Sequence, residues 1–261
     1  MIMDNLLAVD TETTGLDFKH GASPFLVTFC DFTLNNEYFV WDVNPMTREV
    51  EVPPKDVADI VKMIEGAPGL VLQNPKFDVR AMSQFLPAGF QWPWDRTYDT
   101  LLAGHLLASN HRHDLESMVL EYLGLDVRPY ERRMEEAVKS CRRLVQRIGS
   151  PIDDWAIAKA GRSDMPSAKE KCWKYDCWLP AATLKWAEEH PEVAMDLPKG
   201  WEAWPLLTEE YANVDSVTTW RLMGVMEEQL RDRGLWDIYL ERLKCLSVVH
   251  STESNGITFS N

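Results

Sequence analysis

The spacing of apolar and polar positions changes several times along the chain, and each change predicts an element. Leu6-Leu7-Ala8-Val9 is an apolar run of strand length that ends in Asp10-Thr11-Glu12. Phe25 to Phe32 and Tyr38 to Val43 are rich in β-formers, and Asn35-Asn36 between them is a tight-turn signal, so these runs predict a hairpin. After Pro53-Pro54, the residues Val57, Ile60, Val61 and Ile64 recur at helical spacing until Gly66. Gly69 to Gln73 is again a short apolar strand, and strand, helix, strand order favours a parallel crossover. Pro75 marks entry to another helix, while Asp99 and Asp114 read as caps for Leu101 to Leu107 and Leu115 to Gly124. Residues 130–148 form an amphipathic helix with Met134, Val138, Cys141, Val145 and Ile148 on one face. Regularity fades from Gly149 to Trp204, then helical spacing resumes at Leu206 and runs to about Arg233. No internal repeat is present.

Composition narrows the class. With 261 residues and 45% hydrophobic content the chain can build a real core, in one large domain or a domain with an appendage. No apolar run approaches the roughly 18 residues of a membrane span, and no basic segment with a following apolar block and cleavage site opens the chain. The expectation is a soluble, cytoplasmic protein with no membrane partner. The cysteines at 30, 141, 172, 177 and 245 are odd in number and contain no Cys-x-x-Cys pair. That favours core thiols over a disulfide framework or a zinc ribbon.

Net charge is −14, which argues at first against a polyanionic partner. Distribution changes that picture. Residues 126–178 hold 12 Lys and Arg against 9 Asp and Glu, a local surplus of +3 that leaves −17 elsewhere. Within it, Arg132, Arg133, Lys139, Arg142, Arg143 and Arg147 lie largely off the apolar face of the amphipathic helix, as a phosphate-contacting surface or an ordinary solvated one. Further on, Trp173, Tyr175 and Trp178 interleave with Lys169, Lys171 and Lys174, a mixture suited to stacked single-stranded bases or to packing under a long loop.

Several acids could carry chemistry. Asp10 and Glu12 alternate onto one side of their strand, and two unpaired carboxylates there call for a divalent cation unless the strand end is solvated. Asp78 falls in the first turn of its helix, where it is either functional or a favourable charge at the positive helix end. His111 and His113 read as residues of a solvated loop. Tyr211 and Asp215, four residues apart, share a face of the last long helix.

Taken in order, these residues resemble the DEDD exonuclease superfamily, specifically the 3′-to-5′ proofreading domain of family A DNA polymerases. The resemblance rests on Val9-Asp10-Thr11-Glu12-Thr13-Thr14-Gly15-Leu16, on Asn74-Pro75-Lys76-Phe77-Asp78 and on Tyr211-Ala212-Asn213-Val214-Asp215. Asp99-Thr100-Leu101-Leu102-Ala103 and Tyr122-Leu123-Gly124 support it, and Glu210 stands where the histidine variant carries its His, so the chain resembles the tyrosine subtype. The longer stretch at 126–207 is similar to an insertion of viral relatives.

The resemblance implies a ribonuclease H-like α/β fold, a mixed five-stranded sheet flanked by helices. It implies a magnesium-dependent 3′-to-5′ DNA exonuclease that releases nucleoside monophosphates in replication proofreading. Two Mg2+ ions, with Mn2+ able to substitute, would activate a water and stabilise the leaving oxygen of an in-line cleavage. Asp10, Glu12 and Asp215 would hold one ion, Asp10 and Asp78 the second partly through water, and Tyr211 would orient the nucleophile. Thr13, Leu16, Asn74 and Phe77 would contact the terminal nucleotides of single-stranded DNA or a DNA 3′ end. Residues 1–234 would form the exonuclease domain with an irregular, partly basic insertion at 126–207, and 235–261 a helical segment resembling the start of a polymerase thumb. A polymerase domain would be the partner, in cis or in trans. Two rival expectations are an RNA-trimming exonuclease of the same superfamily and a non-catalytic DNA clamp.

Overall fold

In the computed structural model the described residues are 6–18, 22–43, 50–148 and 204–255, with single positions at 189, 191 and 199. The basic and aromatic stretch around Lys169 and Trp178 lies outside them, as do the side chains of Cys141 and Arg142. The sheet is made of β1 (Leu6–Thr13), β2 (Pro24–Cys30), β3 (Asn36–Val40), β4 (Gly69–Leu72) and β5 (Thr97–Asp99), in the order β3-β2-β1-β4-β5. β1 pairs antiparallel with β2 and parallel with β4, so the sheet is mixed, as expected. Around it lie α1 (Pro54–Gly66), α2 (Pro75–Met82), α3 (Thr100–Leu107), α4 (Leu115–Met118), α5 (Arg128–Ile148), α6 (Trp204–Asp232), α7 (Trp236–Leu243) and α8 (Leu246–Asn255).

Strand alternation divides the core into two layers. Leu6, Ala8, Cys30 and Val71 face a cluster with Met118, Leu222, Met226, Trp236 and Tyr239, while Val9, Val27, Phe29, Leu70 and Leu72 face Ile60, Ile64, Val79 and Met82. One side of the sheet is therefore covered by α3, α6 and α7, and the other by α1 and α2. Trp220 Nε1 donates to the Leu6 carbonyl at 3.1 Å, which fixes α6 across β1. Burial at both faces explains why β2 and β4 read as continuous apolar runs rather than alternating ones.

The expected hairpin forms, but its turn differs. Asn36 is already in β3, and the chain reverses through Asp31 to Asn35, with Leu34 in the left-handed region at φ 59°. Asp31 builds this turn, since its carboxylate accepts from the Thr33 backbone N–H at 2.8 Å and its carbonyl from Leu34 N–H at 3.0 Å. The cysteine expectation holds only in part: Cys30 is buried, whereas Cys245, in the turn between α7 and α8, is exposed. Asp99 and Asp114 do cap helices, accepting from Leu101 and Ser117 backbone N–H groups at 2.9 and 3.0 Å. After α4 the helix widens into a π turn over Val119–Leu123 and stops at Gly124, whose φ of 67° suits glycine. His111 is exposed and pairs with Glu121 at 2.7 Å, but His113 is half-buried, its ring stacked 3.7 Å from that of His105.

Candidate active site

β1 carries the first two acids to its C-terminal end. Asp10 and Glu12 share the sheet face of Leu6 and Ala8, and α6 brings Asp215 to that same face. One carboxylate oxygen from each of Asp10, Glu12 and Asp215 lies within 4.8 Å of the others. Residues 203 and more positions apart in sequence thus meet because α6 packs against β1. Thr28, opposite Asp10 on β2, helps to set that contact by donating its buried hydroxyl to the Ala212 carbonyl at 3.4 Å.

Asp78 arrives differently. It lies in the first turn of α2, in the opposite layer, and is almost fully buried. Its Oδ1 accepts a 2.7 Å hydrogen bond from the Thr11 hydroxyl, the β1 side chain that points away from Asp10 and Glu12. Asp78 is outside the close group of three, yet near enough for the charge on Asp10 to act on it. The turn that delivers it is tight: Asn74 adopts φ 60° and ψ 60°, a left-handed conformation Asn tolerates, and its N–H donates to Asp99 Oδ1 at 3.1 Å.

The electrostatics are those of carboxyl groups buried close to one another. Burial pushes Asp10 up to about 7. Burial, then the charges of Asp10, Asp215 and Asp78, raise Glu12 well above the usual carboxylate range. Asp78 is raised by burial and by Asp10, with the Thr11 hydrogen bond acting the other way. Asp215 is raised by burial, Asp10 and Glu116, while a hydrogen bond from Tyr211 opposes the rise. Hard oxygen donors gathered at this spacing suit a hard divalent cation, whose charge would reverse each of these shifts.

Tyr211 sits one turn before Asp215 on α6 and donates its hydroxyl to that carboxylate. Burial and the neighbouring acids Asp215, Glu12, Asp10 and Glu116 raise its pKa, so the phenol stays protonated at neutral pH. Before it in sequence, Glu210 lies 2.9 Å from Arg133 of α5, an ion pair that joins the two helices. That oxygen makes no aligned hydrogen bond, so the contact is electrostatic.

The residues expected to meet substrate flank the acids in sequence, at the end of β1, in the turn after it and at the start of α2. The Thr13 hydroxyl donates to the Gly15 carbonyl at 2.8 Å, and Leu16 projects into solvent with 82% of its surface exposed. Phe77 is half-buried and its ring lies 5.2 Å from that of Phe18, over which the Arg80 guanidinium sits at 5.6 Å. Thr11, Thr28 and Glu116 escaped sequence reasoning. Strand alternation could have signalled Thr11, since a polar residue between two acids must point into the other layer, but nothing local marks Thr28 or Glu116.

Residues 3–145 match the 3′-5′ exonuclease family model, a range that holds Asp10, Glu12 and Asp78 and stops before Tyr211 and Asp215. The DNA polymerase of Mycobacterium phage L5 is 30% identical over 128 residues, and that of Mycobacterium phage D29 is 25% identical over 125 residues. These alignments take in 47% and 46% of this chain but only 20% and 19% of the polymerases, so they span about a fifth of those proteins. Among solved structures, Brucella melitensis NrnC with bound Mg2+ aligns over 98% of this chain and 89% of its own, with a TM-score of 0.54 and 16% identity. The same protein bound to pGG gives a TM-score of 0.54 at 16% identity, over 98% and 88% of the two chains. At such identity the likeness is one of fold.

Proposed function

The chain belongs to the 3′-5′ exonuclease family, and on that premise we propose that it is a divalent-metal-dependent 3′-to-5′ exodeoxyribonuclease. It removes nucleoside monophosphates from single-stranded DNA or a DNA 3′ end, as proofreading in replication requires. The observation that carries this reading is the convergence of Asp10, Glu12 and Asp215 within 4.8 Å beside a protonated Tyr211. A pure DNA clamp would gain nothing from clustered negative charge next to phosphates.

Asp10, Glu12 and Asp215 would hold one ion, and Asp10 and Asp78 would address a second. Magnesium, which NrnC also binds, would supply Lewis-acid polarisation of the phosphodiester and acidification of water there. The chain's own side chains do the rest. Tyr211, held protonated, orients the attacking water by its hydroxyl rather than taking its proton. The Thr11 hydroxyl aims Asp78 and favours its ionised form against the burial and the Asp10 charge that oppose it. Thr13, Leu16, Asn74 and Phe77 receive the terminal nucleotides, with the exposed Leu16 and the Phe18–Phe77 pair offering apolar surface for bases.

Residues 1–234 are proposed as the exonuclease domain with 126–207 as an insertion, and 235–261 as a segment similar to the start of a polymerase thumb. A polymerase in cis or in trans is the proposed partner, which the phage relatives favour. Among the described residues no helix is long and apolar enough to cross a membrane, in keeping with action in a cytoplasm, the host's for a viral protein.

The test is digestion of 3′-labelled against 5′-labelled single-stranded DNA, with and without magnesium. Immediate release of the 3′ label and stepwise shortening of the 5′-labelled strand, only with metal, is the expected result. Internal cuts, or no cleavage of any strand, would overturn it. The second reading, an RNA-trimming exonuclease, draws on the fold likeness to NrnC, which binds pGG. Faster digestion of an RNA strand than of DNA of the same sequence would favour it, since a site can read the 2′-OH.

A further inference from the structure

α2 carries more than Asp78. Lys76 lies in its first turn, between Asn74 and Phe77, and there faces the positive end of the helix, where a cation is unfavourable without an anionic partner. Its partner is remote: the ammonium lies 2.8 Å from Glu253 Oε1 on α8. The same helix docks a second time, where the His250 ring packs 5.2 Å from that of Trp94. α8 thus lies over the cationic start of the helix that bears the site.

Resting on the exonuclease reading above, we propose that Lys76 contacts a backbone phosphate of the bound strand and that Glu253 competes with that phosphate for it. The side chains of Lys76 and Glu253 are 25% and 53% exposed, and an ion pair that open to water is weak. A phosphate oxygen can therefore displace the carboxylate. The position is right for it: Lys76 precedes Phe77, whose ring joins Phe18 and Arg80 in one cation and aromatic surface of the kind on which single strands stack. Glu253 then makes α8 a brake on strand entry, and any movement of α8 changes affinity at the site.

The experiment measures binding of a short single-stranded DNA oligonucleotide by fluorescence anisotropy, with calcium in place of magnesium to slow cleavage, across a salt series. Glu253→Gln is expected to tighten binding about two- to fivefold, the range of an exposed ion pair. It should also steepen the slope of log affinity against log salt by about 0.7, the value of one phosphate contact on a single strand. Lys76→Gln should weaken binding and flatten the slope, and adding Glu253→Gln to it should change nothing further. A gain from Glu253→Gln that survives in the double variant, or single variants equal to the parent, overturns the assignment of Lys76 alone. A parent protein that binds neither DNA nor RNA oligonucleotides overturns the exonuclease reading and this inference with it.

Discussion

The Thr11 hydroxyl donates 2.7 Å to Asp78 Oδ1, a buried bond between residues 67 positions apart that joins β1 to α2 at the edge of the acidic cluster. Through it the acid of the far layer is tied to the strand of Asp10 and Glu12. Thr11→Val keeps the side-chain shape and removes the donor, so the Asp78 carboxyl should rise further above its ordinary range. The expected outcome at neutral pH is a magnesium midpoint for cleavage raised about tenfold, the scale of one hydrogen bond to a charged group. The deficit should shrink at alkaline pH. A magnesium titration at two pH values checks both, and an unchanged midpoint would reduce Thr11 to packing.

Tyr211→Phe and Asp215→Ala should fail in different ways although the residues lie one turn apart on α6. Asp215 is a proposed ligand, so its loss should remove cleavage and reduce metal-induced stabilisation together. Tyr211→Phe keeps the ring, and should leave metal-induced stabilisation in place while slowing single-turnover cleavage by about 10²-fold or more. Parental rates for Tyr211→Phe at several pH values would return this residue to a packing role.

Metal-free stability should fall with rising pH. Asp10 titrates at about 7 in the folded chain against an ordinary 3.8, so the folded state binds more protons than the unfolded between these values. Stability is then fully present below the lower value and is lost as pH rises through the upper one. Glu12, Asp78 and Asp215 shift in the same direction. Magnesium or manganese should reverse the trend, adding roughly 1.4 kcal/mol at a free concentration about ten times the dissociation constant. Melting temperatures across this pH range, with metal and with chelator, measure the effect; a flat metal-free profile would argue against a coupled carboxylate site.

Charge reversal at Arg132 and Arg143, both exposed on α5, should weaken DNA binding and lower its salt slope by about 0.7 for each phosphate that the strand no longer pairs with an arginine. The local surplus of cations in 126–178 motivates this, and the metal-dependent chemistry should persist at saturating DNA. Equal affinity and slope in the variant would mark α5 as plain solvated surface.

Tyr239 ties α7 to the sheet: its buried hydroxyl accepts from Asp99 N–H at 2.8 Å and donates to the Asp99 carbonyl, 3.1 Å away. Tyr239→Phe leaves two buried backbone groups without that partner, at a cost of about 1–3 kcal/mol. The melting temperature should drop by about 2–4 °C for each kcal/mol of that cost. No change would mean that water replaces the hydroxyl.

Much of this was legible in the chain itself, because its signals are local. A strand that ends in Asp10 and Glu12 displays both on one face by period alone, and Pro54, Pro75, Asp99 and Asp114 mark helix starts through backbone chemistry that needs no tertiary partner. Tyr211 and Asp215 share a helix face for the same reason. The hairpin turn was misplaced because two Asn residues outweighed Asp31, whose side chain closes the turn around a left-handed Leu34. The three-residue β5 has too few positions to show a period, and it exists because β4 offers it a parallel edge.

The order of residues was enough to say which of them could become ligands and which face of its own element each would take, since both follow from side-chain chemistry and backbone period. How those faces meet came from packing. α6 over β1 brought Asp215 to Asp10 and Glu12, while α2, packed in the opposite layer, held Asp78 outside that close group and bound it to Thr11 instead. Packing also laid α8 over Lys76 and buried the acids, and that burial, with the repulsion between them, raises Glu12, Asp78 and Asp215. Distances between elements and the loss of water around them arise only when the elements come together, and no period along a chain encodes them.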